Sequence, residues 1–197
     1  MGEVAAVVLA AGESRRMGVP KMALAWGDRT VISQVVGVVR AAGVSEVMVI
    51  TGGAAAAVRE ALAGEIVHMV PNEQYRVGEM LSSVQRGLEA ALGGRADAAL
   101  IVLGDQPQIQ PGVVQKILDS WRETGAEIIV PSFQMRRGHP WLLARSMWQT
   151  VIELKPGETM RDFLNRYQQK IMYLTVESDS ILQDLDTPEA YESQRPK

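Results

Sequence analysis

Apolar runs rich in Val and Ile alternate along this chain with segments of helical periodicity, and that alternation most constrains the fold. A strand buried on both faces reads as an uninterrupted apolar run, whereas a helix lying on a sheet repeats its apolar residues every three or four positions. The two in alternation specify βαβ units around a mainly parallel sheet. Strands are expected at Val4–Ala11, Glu46–Thr51, Ile66–Val70, Ala98–Leu103 and Glu127–Phe133. Helices are expected at Val31–Ala42, Ala54–Ala63, Gly78–Leu92 and Pro111–Glu123, the last with proline in its first turn. From Arg136 the rhythm changes. Arg136–Ala144 reads as extended, Met147–Leu154 and Thr159–Gln169 as helices, and Ile171–Val176 as a strand completing one side of a site. With 197 residues, 47% of them hydrophobic, and no linker or repeat, residues 1–197 are expected to form a single domain.

The net charge is −3 with both signs interspersed, which argues against a nucleic-acid surface or a membrane-facing patch and requires any anionic ligand to be held locally. The chain has no cysteine, so disulfides, thiolate metal sites and a cysteine nucleophile are excluded. The first apolar run is too short to span a bilayer and lacks a signal-peptide pattern, so the cytoplasm is the expected location.

The first expected strand runs into Leu9-Ala10-Ala11-Gly12-Glu13-Ser14-Arg15-Arg16-Met17-Gly18-Val19-Pro20-Lys21. Ligands of open α/β sheets bind beyond the carboxyl ends of strands, and glycine lets backbone N–H groups approach phosphate oxygens. Arg16 and Lys21 could then neutralise a triphosphate. The run is not G-x-G-x-x-G, because Ser14 stands at the second glycine, which counts against a dinucleotide site. Nor is it the Walker A pattern, because no Ser or Thr follows Lys21. By spacing alone, a strand-to-helix turn with solvated arginines stays open as the lesser alternative.

Two acidic positions lie far apart in sequence. Asp105, in Leu103-Gly104-Asp105-Gln106-Pro107, follows the fourth strand and is either a metal ligand or a turn former. Asp186, in Asp184-Leu185-Asp186-Thr187-Pro188-Glu189, precedes a short helix that either Asp186 or Thr187 could cap. The functional reading requires Asp105 and Asp186 to converge on one Mg²⁺.

Taken in order, these motifs together with Gly78, Ser82-Ser83-Val84, Gly87-Leu88 and Arg137-Gly138-His139-Pro140 resemble the molybdenum cofactor cytidylyltransferase group of the nucleotidyltransferase superfamily (MobA-like and MocA-like NTP transferases). The resemblance spans nearly the whole chain. It implies a three-layer, Rossmann-like α/β fold of the nucleotide-diphospho-sugar transferase type, with a mixed, mainly parallel sheet and helices on both faces. It also implies a triphosphate on Leu9–Lys21, Mg²⁺ on Asp105 and Asp186, and catalytic roles for Arg16, Lys21 and Asp105. Gly78 to Leu88 would close over base and ribose, with Ser82 and Ser83 as polar contacts, and His139 would face the acceptor phosphate. The pair Ala10-Ala11 goes with CTP in similar proteins, whereas the guanylyl branch reads Ala-Gly-Gly. The implied partners are CTP, with GTP as the alternative, and molybdopterin as acceptor, with a molybdenum enzyme or insertion chaperone receiving the product. A sugar or polyol phosphate acceptor is the nearest rival, and a non-catalytic nucleotide-binding or cofactor-handover protein is the rival of another class. The chain departs from the family pattern at Met22–Trp26 and at Lys155–Thr159, the latter in place of a Gly-Asp-Lys-Gly-like loop.

Overall fold

In the computed structural model, which describes residues 2–196, the alternation becomes a mixed sheet covered on both faces. The chain opens with β1 (Val4–Ala10), the short hairpin β2 (Ala25–Trp26) and β3 (Arg29–Thr30), α1 (Val31–Ala41), β4 (Glu46–Thr51), α2 (Ala55–Ala61) and β5 (His68–Pro71). It continues through α3 (Glu79–Leu92), β6 (Ala98–Leu103), α4 (Pro111–Thr124), β7 (Ile128–Phe133), β8 (Arg136–Arg137) and β9 (Trp141–Ala144). The last elements are α5 (Trp148–Ile152), α6 (Met160–Arg166), β10 (Ile171–Thr175) and α7 (Pro188–Gln194).

The sheet order is β10-β7-β9-β6-β1-β4-β5, with β8 paired to β7. Strand β1 lies between β4 and β6, parallel to both, while β9 runs antiparallel between β6 and β7. The continuous apolar run of β1 follows from this central place. Successive side chains point to opposite faces, so Ala6, Val8 and Ala10 pack with α1 and α4, and Ala5, Val7 and Leu9 pack with α3, α5 and α6. Thr30 caps α1 by accepting the Ser33 N–H at 3.2 Å, and the expected proline opens α4.

Several boundaries differ from the sequence reading. The fifth strand is His68–Pro71 rather than Ile66–Val70. Gly64 turns the chain at φ +90° after α2, and pairing with β4 starts only where Met48 meets His68. The extended segment Arg136–Ala144 breaks at Gly138–Pro140, because Pro140 cannot donate to a ladder and a Cβ on Gly138 would lie 2.4 Å from the Ile181 carbonyl oxygen. The helix expected to reach Gln169 stops at Arg166 and continues as a 3-10 turn, Gln168–Lys170. The helix expected at Met147–Leu154 is shorter, Trp148–Ile152, preceded by another such turn. Hairpin β2–β3 has too few residues per arm to show a pattern of alternation.

The carboxyl ends of β1 and β6 meet closely. The Gly104 N–H donates to the Leu9 carbonyl at 2.9 Å, and a Cβ on Gly104 would lie 2.7 Å from that oxygen and 3.0 Å from Ile32 Cδ1. Backbone cannot yield as a flexible side chain can. Gly104→Ala is therefore expected to lose about 1–3 kcal/mol in urea unfolding, the usual range for overpacking, whereas unchanged stability would contradict this close approach.

Candidate functional site

The loop after β1 is shaped by its own hydrogen bonds. Ser14 adopts φ +52°, its carbonyl accepts the N–H groups of Met17 (3.0 Å) and Gly18 (3.2 Å), and its Oγ accepts the Lys21 N–H at 3.1 Å. Gly18 sits at φ +68°, where a side chain is disfavoured, and the space beside Gly12 is open. Met17 anchors the loop in a small core with Trp26, Val31, Leu185 and Tyr191, leaving Arg15 and Arg16 exposed. That core joins the loop after β1, hairpin β2–β3 and α7, and the Tyr191 hydroxyl donates to the Ala25 carbonyl at 2.7 Å.

Lys21, only 8% exposed, points inward between two carboxylates. Its Nζ lies 2.5 Å from Asp105 Oδ2 and 3.0 Å from Asp186 Oδ1, while an Arg16 terminal nitrogen lies 2.6 Å from Asp186 Oδ2. Asp105 and Asp186 meet because Leu185 is fully buried in the small core and its N–H donates to the Asp105 carbonyl at 3.1 Å. Thr187 takes the N-cap of α7, accepting the Ala190 N–H at 3.2 Å, which leaves Asp186 free to face Lys21. Thr187 thus takes the capping role and Asp186 pairs with Lys21 and Arg16.

Burial pulls the Lys21 pKa down, but Asp105 and then Asp186 outweigh it and hold the ammonium above its ordinary value. Burial raises Asp186, yet Lys21 and Arg16 bring it below the usual carboxylate value. Asp184 is raised, first by burial and then by the charges of Asp186 and Asp105. Among the described residues no group of three or more His, Asp or Glu side chains forms a ready cation site. Two carboxylates gripping one ammonium nevertheless supply the donor set that Mg²⁺ uses beside phosphate oxygens.

The segment after β5 forms the adjoining wall. Ser82 and Ser83 are buried and accept from Asn72 Nδ2 at 2.9 and 3.0 Å. A Cβ on Gly78 would collide with the Ser82 side chain, and Gly87 lies against Val7. Beyond this wall opens a cavity of about 950 Å³, lined on one side by Gly78 and Ser82 and on the other by Trp141, Leu154 and Met160. His139 also faces it, stacked on Trp141 with centroids 4.2 Å apart. Its Nε2 is sealed from solvent without a hydrogen-bond partner. Burial pushes its pKa down to about 4, so near neutral pH the ring has no charge to offer a phosphate. Arg137 and Arg161 bring cations to the same cavity.

The structure thus brings together Arg16, Lys21, Asp105 and Asp186 at the end of β1, and places Gly78, Ser82 and His139 around the neighbouring cavity. Leu9, Ala10 and Ala11 lead into the loop as buried residues, and Glu13 bridges Arg15 and Arg76. Sequence reasoning missed Leu185 and Asn72, and gave Met17 as a nucleotide-binding residue where the structure has it packed in the small core. The only available signals were an apolar residue between two aspartates and an Asn directly after a strand.

Asp184 accepts no hydrogen bond among the described residues, and its raised pKa contributes stability only below the ordinary value of 3.8. That contribution is lost as pH rises through the folded-state pKa. Asp184→Asn is therefore expected to stabilise the ligand-free protein at pH 7 by about 0.2–1 kcal/mol, the scale of a solvent-screened charge. In urea unfolding across pH the gain should vanish below about 3.8; a gain independent of pH would refute the assignment.

Comparison with known proteins places this geometry. The MobA-like NTP transferase domain family matches residues 6–171. The crystal structure of Rv0371c from Mycobacterium tuberculosis superposes with a TM-score of 0.84 at 30% identity, covering 98% of this chain and 97% of that one. Its manganese complex superposes at 0.80 and 29% identity, covering 97% of both chains. A nucleotidyl transferase from Methanothermobacter superposes at 0.82 and 26% identity, covering 98% of this chain and 96% of that one. The bifunctional protein GlmU of Pelobacter propionicus is 32% identical over 71% of this chain but only 30% of its own length, so the chain spans less than a third of that relative. The chain belongs to the MobA-like NTP transferase domain family of the nucleotidyltransferases.

Proposed function

We propose that the chain transfers CMP from CTP to the terminal phosphate of molybdopterin, releasing pyrophosphate. The observation that carries the reading is the convergence of Lys21, Arg16, Asp105 and Asp186 beside an open glycine loop at the carboxyl edge of the sheet. The triphosphate lies on Leu9–Lys21, where Lys21 and Arg16 exchange carboxylate for phosphate oxygens. Asp105 and Asp186, which already share one cation, would hold Mg²⁺, whose charge offsets that of the triphosphate. The acceptor phosphate, largely ionised near neutral pH, attacks the α-phosphorus in line. No protein nucleophile is needed, and the protein positions the reactants and stabilises charge.

The cavity could take a ring-bearing acceptor. Trp141 and Leu154 offer apolar surface, Arg137 and Arg161 offer positive charge, and Gln85, Glu158 and Thr159 add polar groups. The GlmU relatives favour a second reading, uridylyl transfer to a sugar phosphate. Ala10-Ala11 in place of Ala-Gly-Gly supports CTP over GTP.

Pyrophosphate release from CTP, UTP and GTP, each with Mg²⁺ and with either molybdopterin or a sugar 1-phosphate, tests these readings. CTP with molybdopterin is expected to be turned over fastest. UTP with the sugar phosphate would instead establish the second reading, and release with no pair would remove transfer to either acceptor. Asp105→Asn is expected to lower turnover on the order of a hundredfold, the scale of a lost electrostatic contact, while the protein stays folded; full Mg²⁺-dependent activity would sink the metal assignment.

A further inference from the structure

Asn72 stands directly after β5 and is 2% exposed, a rare place for an amide unless every polar atom is engaged. Its N–H donates to the Thr51 carbonyl at 2.8 Å, extending the pairing of β5 with β4. Its Oδ1 accepts the Gln74 N–H at 3.0 Å and fixes the turn that follows. Its Nδ2 donates to both Ser82 and Ser83. One side chain thus ties the end of a strand to a turn and to the first turn of α3.

That first turn needs the tie. Gly78 at the N-cap has no side chain to cap with, and Glu79 enters the helix at φ +46°, a conformation disfavoured for a residue with a side chain. Segment 72–78 also separates the two halves of the site. On one side Tyr75 covers Gly52 and Gly53, where added Cβ atoms would lie 2.8 and 3.1 Å from its ring, and Arg76 Nε pairs with Glu13 of the phosphate loop at 2.9 Å. On the other side Gln74, Val77 and Gly78 line the cavity. A nucleotide whose phosphates occupied the loop would meet this partition next, because Arg76 pairs with Glu13 of the loop and the cavity opens beyond Gln74 and Gly78.

We infer that Asn72 is a positioning residue for the nucleoside: it touches no ligand, and through Ser82 and Ser83 it holds the partition and the first turn of α3 where base and ribose pack. The inference rests on the nucleotidyl-transfer reading. Loss of the two donations should loosen the nucleoside wall far more than the phosphate loop, because the Arg76–Glu13 pair lies largely at the surface and Ser14, Met17 and Lys21 are held by other bonds.

The test compares CTP with inorganic tripolyphosphate, each with Mg²⁺, by titration calorimetry on the full chain. Asn72→Asp keeps the volume and the acceptor oxygen but cannot donate. It is expected to weaken CTP about tenfold, as one buried hydrogen bond would, and to leave tripolyphosphate unchanged. Ser83→Ala removes one donation without introducing a charge and should give a smaller loss with the same selectivity, so the inference remains testable if the Asp variant fails to fold. Equal weakening of both ligands, or of neither, would show that Asn72 serves stability alone. If the unsubstituted protein binds tripolyphosphate as tightly as CTP, no nucleoside is recognised and the inference fails. If it binds neither, the nucleotidyl-transfer reading itself fails.

Discussion

Lys21 stands between Asp105 and Asp186 and offsets the repulsion of two carboxylates brought together. One carboxylate ends a central strand and the other comes from the last segment of the chain. Bringing both to a poorly hydrated strand edge without a cation would push at least one to take up a proton. The buried ammonium resolves that conflict, and the opposite pKa shifts of Asp184 and Asp186 show how local the resolution is. Asp186 lies within reach of Lys21 and Arg16 and is stabilised as the anion; Asp184, two residues away, is raised.

The parts that build this centre are ordinary packing features. Leu185 supplies a buried anchor and one backbone hydrogen bond to Asp105, and Met17 supplies the matching anchor for the loop after β1. Gly104 allows β1 and β6 to end close together. The small core around Trp26 and Tyr191 brings loop, hairpin and last helix together, so the cationic and anionic halves of the site share one support. Such a support keeps charges at fixed separation before any ligand arrives, which is what electrostatic stabilisation of a transfer reaction requires.

Much of this was legible in the sequence because the signals were periodic or tied to particular residue types. The run Val4–Ala11 reads as a strand covered on both faces, and Gly12 to Lys21 as a loop rich in backbone donors and cations. Asp105 and Asp186 were visible as candidates, but their meeting was not, since nothing local in either segment encodes a hydrogen bond between Leu185 and Asp105 across the fold. Hairpin β2–β3 is too short to carry a pattern. The break at Gly138–Pro140 depends on the tertiary approach of Ile181. His139 stood out by type, but its neutral state follows from burial, which sequence does not show. Asn72 has no motif of its own; its part emerges only when all its hydrogen bonds are traced.

On the proposed reading Lys21 would exchange its carboxylate partners for phosphate oxygens when a nucleotide binds, and Asp105 with Asp186 would form one cation site common to both states. The most direct test is an electron paramagnetic resonance titration of Mn²⁺ in the presence of CTP, comparing the unsubstituted protein with Asp186→Asn. CTP is expected to increase Mn²⁺ retention by the unsubstituted protein sharply, and the variant to lose it by about tenfold or more, the effect of removing a ligand or its close support. Equal retention by the two proteins would contradict a shared site and leave Asp186 as a partner of Lys21 and Arg16 alone.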